Sequence, residues 1–384
     1  DAASRQVVLA RAQDMALRFG DAGTQLSQLQ TTVNQELSAS VEAVNGLAAS
    51  IAKVNNDIAS ARGLGQTPND LLDERDRLVS QLSEHVQVTT IPASDGTVGV
   101  FMGGGQRLVL GGVAERLQRI PDLFDASRSA VAITEGASLR PLSAEVLGGG
   151  RVAGLLQFQD QDLVAGQVML GQLARALTDA VNQQQVLGLN LKPPVGTVPS
   201  RPLFALEDST REKVFPAASN QRDISGQFLN TVTITVLDAR QLQATEYELR
   251  ADPNVPGNWQ LLHVPDDGTA PQTVAPGDVV DGLRIDFDAA MAAGERFRLS
   301  PVTRAASGIQ RLLTDPLDVA AASPFVASTP ASNAGTAAVG TLRMVSAPAH
   351  PAGSVTLTFT GPDPADPSKM RYDWDVRDAG GAVL

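Results

Sequence analysis

The stretch NDLLDERDRLVSQLS, residues 69–83, carries six charged side chains, and four of them are acidic. Carboxylates at this density can bind a metal, support acid/base catalysis or simply cover a solvated helix face. Behind the charges, apolar residues recur at helical spacing and form one wide face; they are Leu71, Leu72, Leu78, Val79, Leu82 and Val86. Metal ligands must converge, and Asp70 and Asp73 converge only loosely at a spacing of three. The stretch therefore predicts a structural helix of a bundle.

The residues before this stretch predict where its helix begins. Thr67 can act as the N-cap, Pro68 suits the first helical position, and Asp70 falls three residues after Thr67 as in a capping box. Asp73 and Arg77 stand four residues apart, a spacing at which an acid–base pair stabilises a helix by roughly 0.2–0.5 kcal/mol.

Arg75 is the informative residue of this helix because it stands in the middle of the apolar face. A guanidinium there must reach a carboxylate or a backbone carbonyl, often on a neighbouring helix. Whether Arg75 ties the helix to its own domain or to a neighbouring subunit is open from the sequence. The predicted packing and assembly residues come from this helix and a later one; they are Leu71, Leu72, Asp73, Arg75, Asp76, Leu78, Leu82, Leu156, Leu163, Leu170 and Leu177.

Two further helices are predicted. Before the opening stretch, apolar residues recur at steps of three and four and indicate a rod-like helix; they are Leu26, Leu29, Val33, Leu37, Val41, Val44, Ala48, Ile51 and Ile58. Asn55 fills a gap in this stripe and is predicted to fix the register of a helix seam. The later helix begins near residue 150 and places four leucines seven apart, with Leu173 and Ala180 in a second seam.

Strands are predicted between and after the helices. Residues 86–113 alternate and predict a three-stranded meander with an Asp95-Gly96 turn. From about residue 200, short alternating segments predict an antiparallel β domain of sandwich or barrel type; they are TVTITVLD, EYELRAD, NWQLLHV, DGLRIDF and RFRLSP. Residues 307–323 predict a short helix and a turn. Residues 232–252 resemble residues 355–378, either as an internal repeat or as convergent hairpin patterning.

Together these elements predict an α+β chain: a long-helix bundle with a small β-meander, then antiparallel β sandwich-like or barrel-like outer domains. The predicted helical domain covers residues 1–195, with the meander insertion at about 86–147. An antiparallel β domain follows at 196–325, and residues 326–384 begin a further, truncated β domain or insertion.

Composition excludes several classes of function. The net charge of -12 disfavours nucleic-acid binding, and the lack of cysteine rules out disulfides and zinc–thiolate sites. No apolar run reaches the length of a membrane span. The three histidines, His85, His263 and His350, show no metal-ligand or catalytic spacing. We therefore expect no enzyme activity, no cofactor and no membrane or nucleic-acid partner.

Several stretches resemble the flagellar hook-associated protein 1 family (FlgK). They are NDLLDERDRLVSQLSEHVQV followed by DGTVGVFMGGGQRLVLGG, then GGGRVAGLLQFQDQDLVAGQVMLGQLARALTDAVNQQQVLGLNL, and finally VVDGLRIDFDAAMAAGERFRLSPVTRAASGI. The resemblance covers roughly residues 1–325. The terminal segments of the family, which form the tube and bind a cytoplasmic export chaperone, have no counterpart in this sequence, so the chain is expected to be a fragment.

The resemblance implies an extracellular structural adaptor of the bacterial flagellum, exported through the flagellar type III system. It would form a ring of subunits at the junction between hook and filament, with its helices along the tube wall. The implied partners are the hook protein, the second hook–filament junction protein and copies of the chain itself. A secreted β-rich adhesin or binding module on a helical stalk is the alternative.

Overall fold

The structure is a computed structural model. It describes residues 1–193 except 137, then 201–206, then 213–288 except 253, 254, 256 and 267, then 294–331, 333, 335, 336, 342, 344 and 353–383. Contacts group the chain into two compact units. One comprises residues 10–180 and 204–312, and the other comprises residues 1–9, 181–203 and 313–384. The predicted domain boundaries after residues 195 and 325 stay a prediction.

Long helices dominate the first half of the chain, as predicted. The helices are α1 (Ala2–Gly63), α2 (Asn69–His85), α3 (Ala144–Leu147), α4 (Gly150–Gln157) and α5 (Val164–Leu187). A π-helical turn, Phe158–Leu163, joins α4 to α5. The long apolar stripe therefore lies on one helix of 62 residues.

The predicted cap of α2 is wrong. The helix begins at Asn69, and Pro68, with φ of -84° and ψ of 71°, occupies the capping position without a side-chain hydrogen bond. The Pro68 carbonyl accepts the Leu72 N–H at 3.1 Å, whereas the Thr67 carbonyl accepts the Asn69 N–H at 3.0 Å. This tight bend leaves Thr67 outside the helix, so it cannot satisfy the first helical N–H groups.

Two small antiparallel sheets lie between α2 and α3. The first has the order β1-β2-β3-β4, with β1 (Val88–Pro92), β2 (Val98–Met102), β3 (Gln106–Leu110) and β4 (Val113–Ala114). The second has the order β5-β6-β7, with β5 (Leu117–Pro121), β6 (Ser129–Glu135) and β7 (Ser138–Leu142). The three predicted meander strands and their Asp95-Gly96 turn are confirmed. The short β4 and the whole second sheet were not predicted as strands.

The core of this region forms where α1 meets α2, α4 and both sheets. Most of its buried α1 residues come from the predicted stripe; they are Val33, Leu37, Val41, Val44, Ala48, Ile51 and Ile58. Ala52 and Val54 are buried there outside the stripe, whereas Leu29 of the stripe is exposed. Because buried side chains of both sheets share this core with α1, the apolar period of α1 helps to set where each sheet can pack.

Side-chain amides of α1 also bind the backbone of these sheets. Asn55 is fully buried; its Oδ1 accepts the Val98 N–H at 3.0 Å, and its Nδ2 donates to the carbonyls of Val98 and Gly111 at 2.9 Å. Asn45 accepts the Leu117 N–H at 2.8 Å and donates to the Leu117 carbonyl at 2.9 Å. The prediction that Asn55 fixes a helix seam is therefore wrong, because its partners are strand and turn backbone groups.

The second half of the chain is mainly antiparallel β structure, as predicted. Its strands are β8 (Phe204–Ala205), β9 (Val214–Pro216), β10 (Val232–Val236), β11 (Glu246–Ala251), β12 (Trp259–Val264), β13 (Gln272–Val274), β14 (Val279–Val280), β15 (Leu283–Phe287), β16 (Arg296–Leu299), β17 (Gln310–Arg311), β18 (Gly353–Pro362) and β19 (Met370–Asp378). A three-stranded sheet, β10-β15-β14, and a five-stranded sheet, β13-β12-β11-β16-β9, share one apolar core. Val164 and Val168 of α5 belong to that core.

One prediction about this half is wrong, and one open question is resolved. The predicted helix at 307–323 is instead the short strand β17, which pairs with β8, followed by a 3-10 turn at Pro316–Asp318. Of the two explanations for the resemblance between residues 232–252 and 355–378, the topology excludes the internal repeat, because β10 and β11 lie in different sheets, whereas β18 and β19 pair with each other. The similar sequences reflect the same alternation serving two different topologies.

We expect Asn55→Ala to destabilise the protein by at least about 2 kcal/mol, because it leaves buried backbone groups at Val98 and Gly111 without partners. Asn56→Ala is the matched control, since Asn56 is exposed. Urea denaturation followed by helical circular dichroism measures both. Equal effects of the two substitutions would contradict the role assigned to Asn55.

Candidate functional site

The predicted packing residues of α2 divide between core and surface. Leu78 and Leu82 are buried, and Leu71 and Leu72 pack half-buried against the same core. Asp73 and Asp76, by contrast, are exposed. The leucines of α2 therefore hold it to its own chain, and their predicted role in assembly stays a prediction.

Arg75 ties α2 to the turn between β1 and β2. Its side chain is 13% exposed, and its Nη1 donates to the Gly96 carbonyl at 3.2 Å. Its Nε and Nη2 donate to Asp76 Oδ1 at 3.1 and 2.9 Å. The sequence predicted a carboxylate or carbonyl partner, and both are found within the same chain. The expected neighbouring helix is replaced by a β-turn.

The predicted pair between Asp73 and Arg77 is not formed. Arg77 instead binds Glu74, three residues earlier, through Nε at 2.9 Å and Nη2 at 2.6 Å. These hydrogen bonds lower the pKa of the Glu74 carboxyl. The three-residue spacing lets the fork of the guanidinium meet both carboxylate oxygens. Both side chains remain largely in solvent, so the pair contributes little to stability.

The leucines of the later predicted seam are less buried after the π-helical turn than before it. Leu156 and Leu163 are buried, whereas Leu170 and Leu177 are only half-buried. Further along α5 the buried positions include Val164, Gly171 and Thr178, each one residue later than a leucine of the predicted seam. A π-helical turn inserts one residue into the helix, so it rotates the inward face by one position. The heptad prediction missed this rotation.

On the outer side of α5 the rotation leaves an apolar stripe in solvent, here called the α5 seam. It consists of the exposed residues Met169, Leu173 and Ala180 with the half-buried Leu170 and Leu177 beside them. Met169 and Leu173 are each 59% exposed. A helix that packs one apolar face on its own core and shows a second in solvent is suited to bind another helix.

A buried ion cluster around Glu246 was missed by the sequence analysis. The Glu246 side chain is 1% exposed, and its Oε2 lies 3.5 Å from Arg298 Nη1. Its Oε1 lies 3.4 Å from Arg128 Nη2 and accepts hydrogen bonds from the hydroxyls of Ser300 and Thr303. Glu248, two residues along β11, pairs with Arg296 at 2.8 Å. The outer face of the five-stranded sheet is thus charged yet buried.

The loop between β5 and β6 covers this charged face. Its Phe124 ring lies 4.8 Å from the Arg298 guanidinium and 5.3 Å from that of Arg296. Arg128 of the same loop reaches Glu246. Burial alone would lower the pKa of Arg128, but the carboxylates of Glu246 and Asp125 outweigh that effect and raise it, so the guanidinium stays charged.

A sequence signal for this cluster existed in the strand patterns. EYELRAD and RFRLSP place acids and arginines at alternate positions, and β11 and β16 pair so that Glu248 faces Arg298. Alternation usually indicates a solvated face. Nothing in these strands indicates that a loop more than a hundred residues earlier would cover them.

A cavity of about 380 Å³ lies beside the cluster, between α1, α5 and the sandwich. Hydroxyl groups line much of it; they are contributed by Ser27, Thr31, Ser127, Ser300, Thr303 and Ser307. Glu246 and Asp125 face it together with Arg128 and Arg304. The acidic and basic side chains that line the cavity are already paired with each other. The cavity is therefore suited to hold water between packed elements.

No metal or membrane chemistry is evident in the described part of the chain. Its residues include no group of three or more acidic or histidine side chains placed to hold a metal ion. Among the described helices, none is sufficiently long and apolar to cross a bilayer. His263 packs edge-on against Tyr247 and lies 3.7 Å from Asp281, inside the sandwich. His350 lies outside the described residues.

Comparisons with known proteins agree on one family. A family model described as the helical domain of the flagellar hook-associated protein FlgK matches residues 1–204. Flagellar hook-associated protein 1 of Escherichia coli K12 and that of Salmonella typhimurium LT2 are each 32% identical over 330 residues, or 84% of this chain. The chain spans 57% of the length of these relatives.

A solved structure gives the same result. The flagellar hook junction protein FlgK from Burkholderia pseudomallei is similar over 94% of this chain and 62% of its own, with a TM-score of 0.76 at 27% identity.

We expect Arg75→Ala to lower the stability by about 1.5–3 kcal/mol, because it removes a charge-assisted hydrogen bond to the Gly96 carbonyl and a mostly buried side chain. Arg77→Ala is the matched control on the same helix and should leave the melting temperature unchanged. Thermal unfolding followed by circular dichroism compares the two. An unchanged melting temperature for Arg75→Ala would refute the tether.

Glu246→Gln should destabilise the protein by about 3 kcal/mol, because it keeps the shape of the side chain but removes the closest carboxylate from the buried guanidinium groups of Arg128 and Arg298. Glu74→Gln, which breaks the solvent-facing pair with Arg77, is the control and should have no measurable effect. Urea midpoints give the comparison. A Glu246→Gln variant as stable as the wild type would show that the ion cluster does not stabilise the fold.

Proposed function

The chain belongs to the FlgK family of flagellar hook-associated proteins, and we propose that it is part of a structural adaptor at the junction between the flagellar hook and the filament. The name of the solved relative, a flagellar hook junction protein, supports this role. The proposed location is the flagellum outside the cell, which the protein reaches by export through the flagellar type III system. The relatives carry the names of structural flagellar proteins rather than of enzymes.

The adaptor is proposed to assemble as a ring of subunits through its helical part. The observation that carries this proposal is the α5 seam. Its inner neighbour, the face with Val164 and Val168, is already occupied by the core of the sandwich. Met169 and Leu173 on the other side are apolar and in solvent. Covering them with another helix would lower the free energy of the assembly.

The proposed partners are copies of the chain itself, the hook protein and the second junction protein. Of these, copies of the chain are the occupants proposed for the α5 seam. Leu170, Leu173 and Leu177 repeat at steps of three and four, which is the spacing at which one helix inserts side chains between those of another. The other helix residues predicted for assembly, on α2, are proposed to support the helical part from within.

The test is the substitution Leu173→Glu in the gene that encodes this chain. We expect the purified variant to keep its melting temperature, since Leu173 is exposed, while cells carrying it lose filaments and motility. Gln28→Glu is the matched control, because it also adds a carboxylate at an exposed helix position. Swimming assays and electron microscopy of hook ends measure the outcome.

Motile cells with full-length filaments in the Leu173→Glu strain would contradict assembly through the α5 seam. A deletion of the whole gene distinguishes the broader role. If that deletion left filaments attached to hooks, the proposed place at the junction would itself be wrong.

A further inference from the structure

Three glutamines lie at alternate positions where α4 passes into the π-helical turn, in the segment QFQDQ, residues 157–161. Gln157 and Gln161 are exposed, and Gln157 Nε2 donates to Gln161 Oε1 at 3.4 Å on the surface. Gln159, between them, is only 1% exposed. A buried amide needs partners for both its donor and its acceptor, so the surroundings of Gln159 must supply them.

The amide of Gln159 binds both backbone groups of a single strand residue. Its Oε1 accepts the Ser129 N–H at 3.1 Å, and its Nε2 donates to the Ser129 carbonyl at 3.0 Å. Ser129 is the first residue of β6 and lies opposite Pro121 of β5, which has no N–H to donate. The pairing of β6 with β7 begins at Val131, two residues further on. Gln159 therefore supplies at Ser129 the hydrogen bonds that a neighbouring strand supplies elsewhere.

Two residues of α1 complete this buried set, here called the Gln159 network: Gln159, Ser129, Gln30 and Asn34. Gln30 Nε2 donates to Gln159 Oε1 at 2.8 Å and to Asn34 Oδ1 at 3.2 Å. Asn34 Oδ1 also accepts the Ser129 hydroxyl at 2.7 Å. Because these hydrogen bonds are buried and directional, the network defines where Gln159 lies relative to both α1 and β6.

The same binding mode occurs twice on α1. Asn45 binds the N–H and the carbonyl of Leu117, and Asn55 binds those of Val98. Leu117 and Val98 are, like Ser129, the first residues of their strands. Gln159 differs because it belongs to a π-helical turn, so its hydrogen bonds act on the geometry of the helix as well as on the strand.

The helix on both sides of the turn is packed into a core. Val152 and Leu156 of α4 belong to one core, and Val164 and Val168 of α5 belong to the other. The inward positions on the two sides are out of step by one residue, so the helix must accommodate an extra residue between them. Residues 150–171 contain no proline, which is the usual local cause of a break in a helix. The site of the extra residue is therefore left to contacts outside the helix.

We propose that the Gln159 network holds the extra residue of the helix at Phe158–Leu163, and that Gln159 is thereby the positioning residue for the inner face of α5. If the extra residue moved along the helix past Val168, the segment before it would continue in the register of α4. Val168 would then turn by about 100° away from the sandwich core. The proposal concerns a buried face and does not rest on the proposed ring.

Thiol reactivity tests the proposal, because the chain contains no cysteine and one introduced thiol reports on its own position. Val168→Cys places a thiol on the buried face of α5, and Val44→Cys places one in the core beside α1. The rates of reaction with N-ethylmaleimide are measured in folded protein. We expect Gln159→Leu to raise the ratio of the rate at position 168 to the rate at position 44 at least about ten-fold.

Gln161→Leu is the matched control, because Gln161 is an exposed glutamine of the same turn, and it should leave the ratio unchanged. An unchanged or smaller ratio in Gln159→Leu would overturn the proposal, since a loss of stability alone opens both cores together. An equal rise in Gln161→Leu would overturn it too, because the effect would then come from the added apolar side chain.

Gln30→Ala is the milder variant should Gln159→Leu not fold. It removes one hydrogen bond to Gln159 Oε1 and leaves those to Ser129 in place. We expect the ratio of the two rates to rise in the same direction and by a smaller factor. A folded Gln30→Ala protein with an unchanged ratio would count against the network as the device that positions the turn.

Discussion

The backbone of two small sheets must find hydrogen-bonding partners on a single helix, and the first half of the structure depends on that constraint. Apolar burial positions the sheets on α1 but is non-directional, so it leaves their register undefined. Asn45 and Asn55 supply the direction, because each binds backbone groups at the start of one strand, Leu117 of β5 and Val98 of β2. A helix that presents amides between its apolar side chains thus acts as a template for both sheets.

The same sheets connect the helices to the sandwich. The loop between β5 and β6 stays bound to Asn34 of α1 through its Ser127 carbonyl and covers the outer face of the five-stranded sheet, where Arg128 meets Glu246. A charged face would ordinarily stay in water, and its burial here is compensated by three arginines and two hydroxyls. Ion pairs of this kind are directional, so they define the position of the covering loop on the strands of the sandwich.

Periodicity alone predicted the α+β class, the long helix, the meander and five strands of the sandwich, because each of those signals is local. Two of the failures share a cause, since each depended on a contact distant in sequence. Asn55 was assigned to a helix seam because the strands that bind it were not known to lie there. Glu246 stood in a strand with alternating polarity, and its cover comes from another region. The predicted leucine seam was displaced by one residue on α5 because periodicity does not reveal the π-helical turn that precedes it.

The π-helical turn at Phe158–Leu163 also determines which side of α5 faces the core. Each residue of a helix advances it by about 100°. The division of α5 into an inner face with Val168 and an outer face with Leu173 therefore depends on the number of residues in the turn upstream. Loss or gain of one residue in the turn would rotate both faces of α5 by about 100° relative to their present neighbours. The number of residues in this segment thus decides which side chains of α5 face the core.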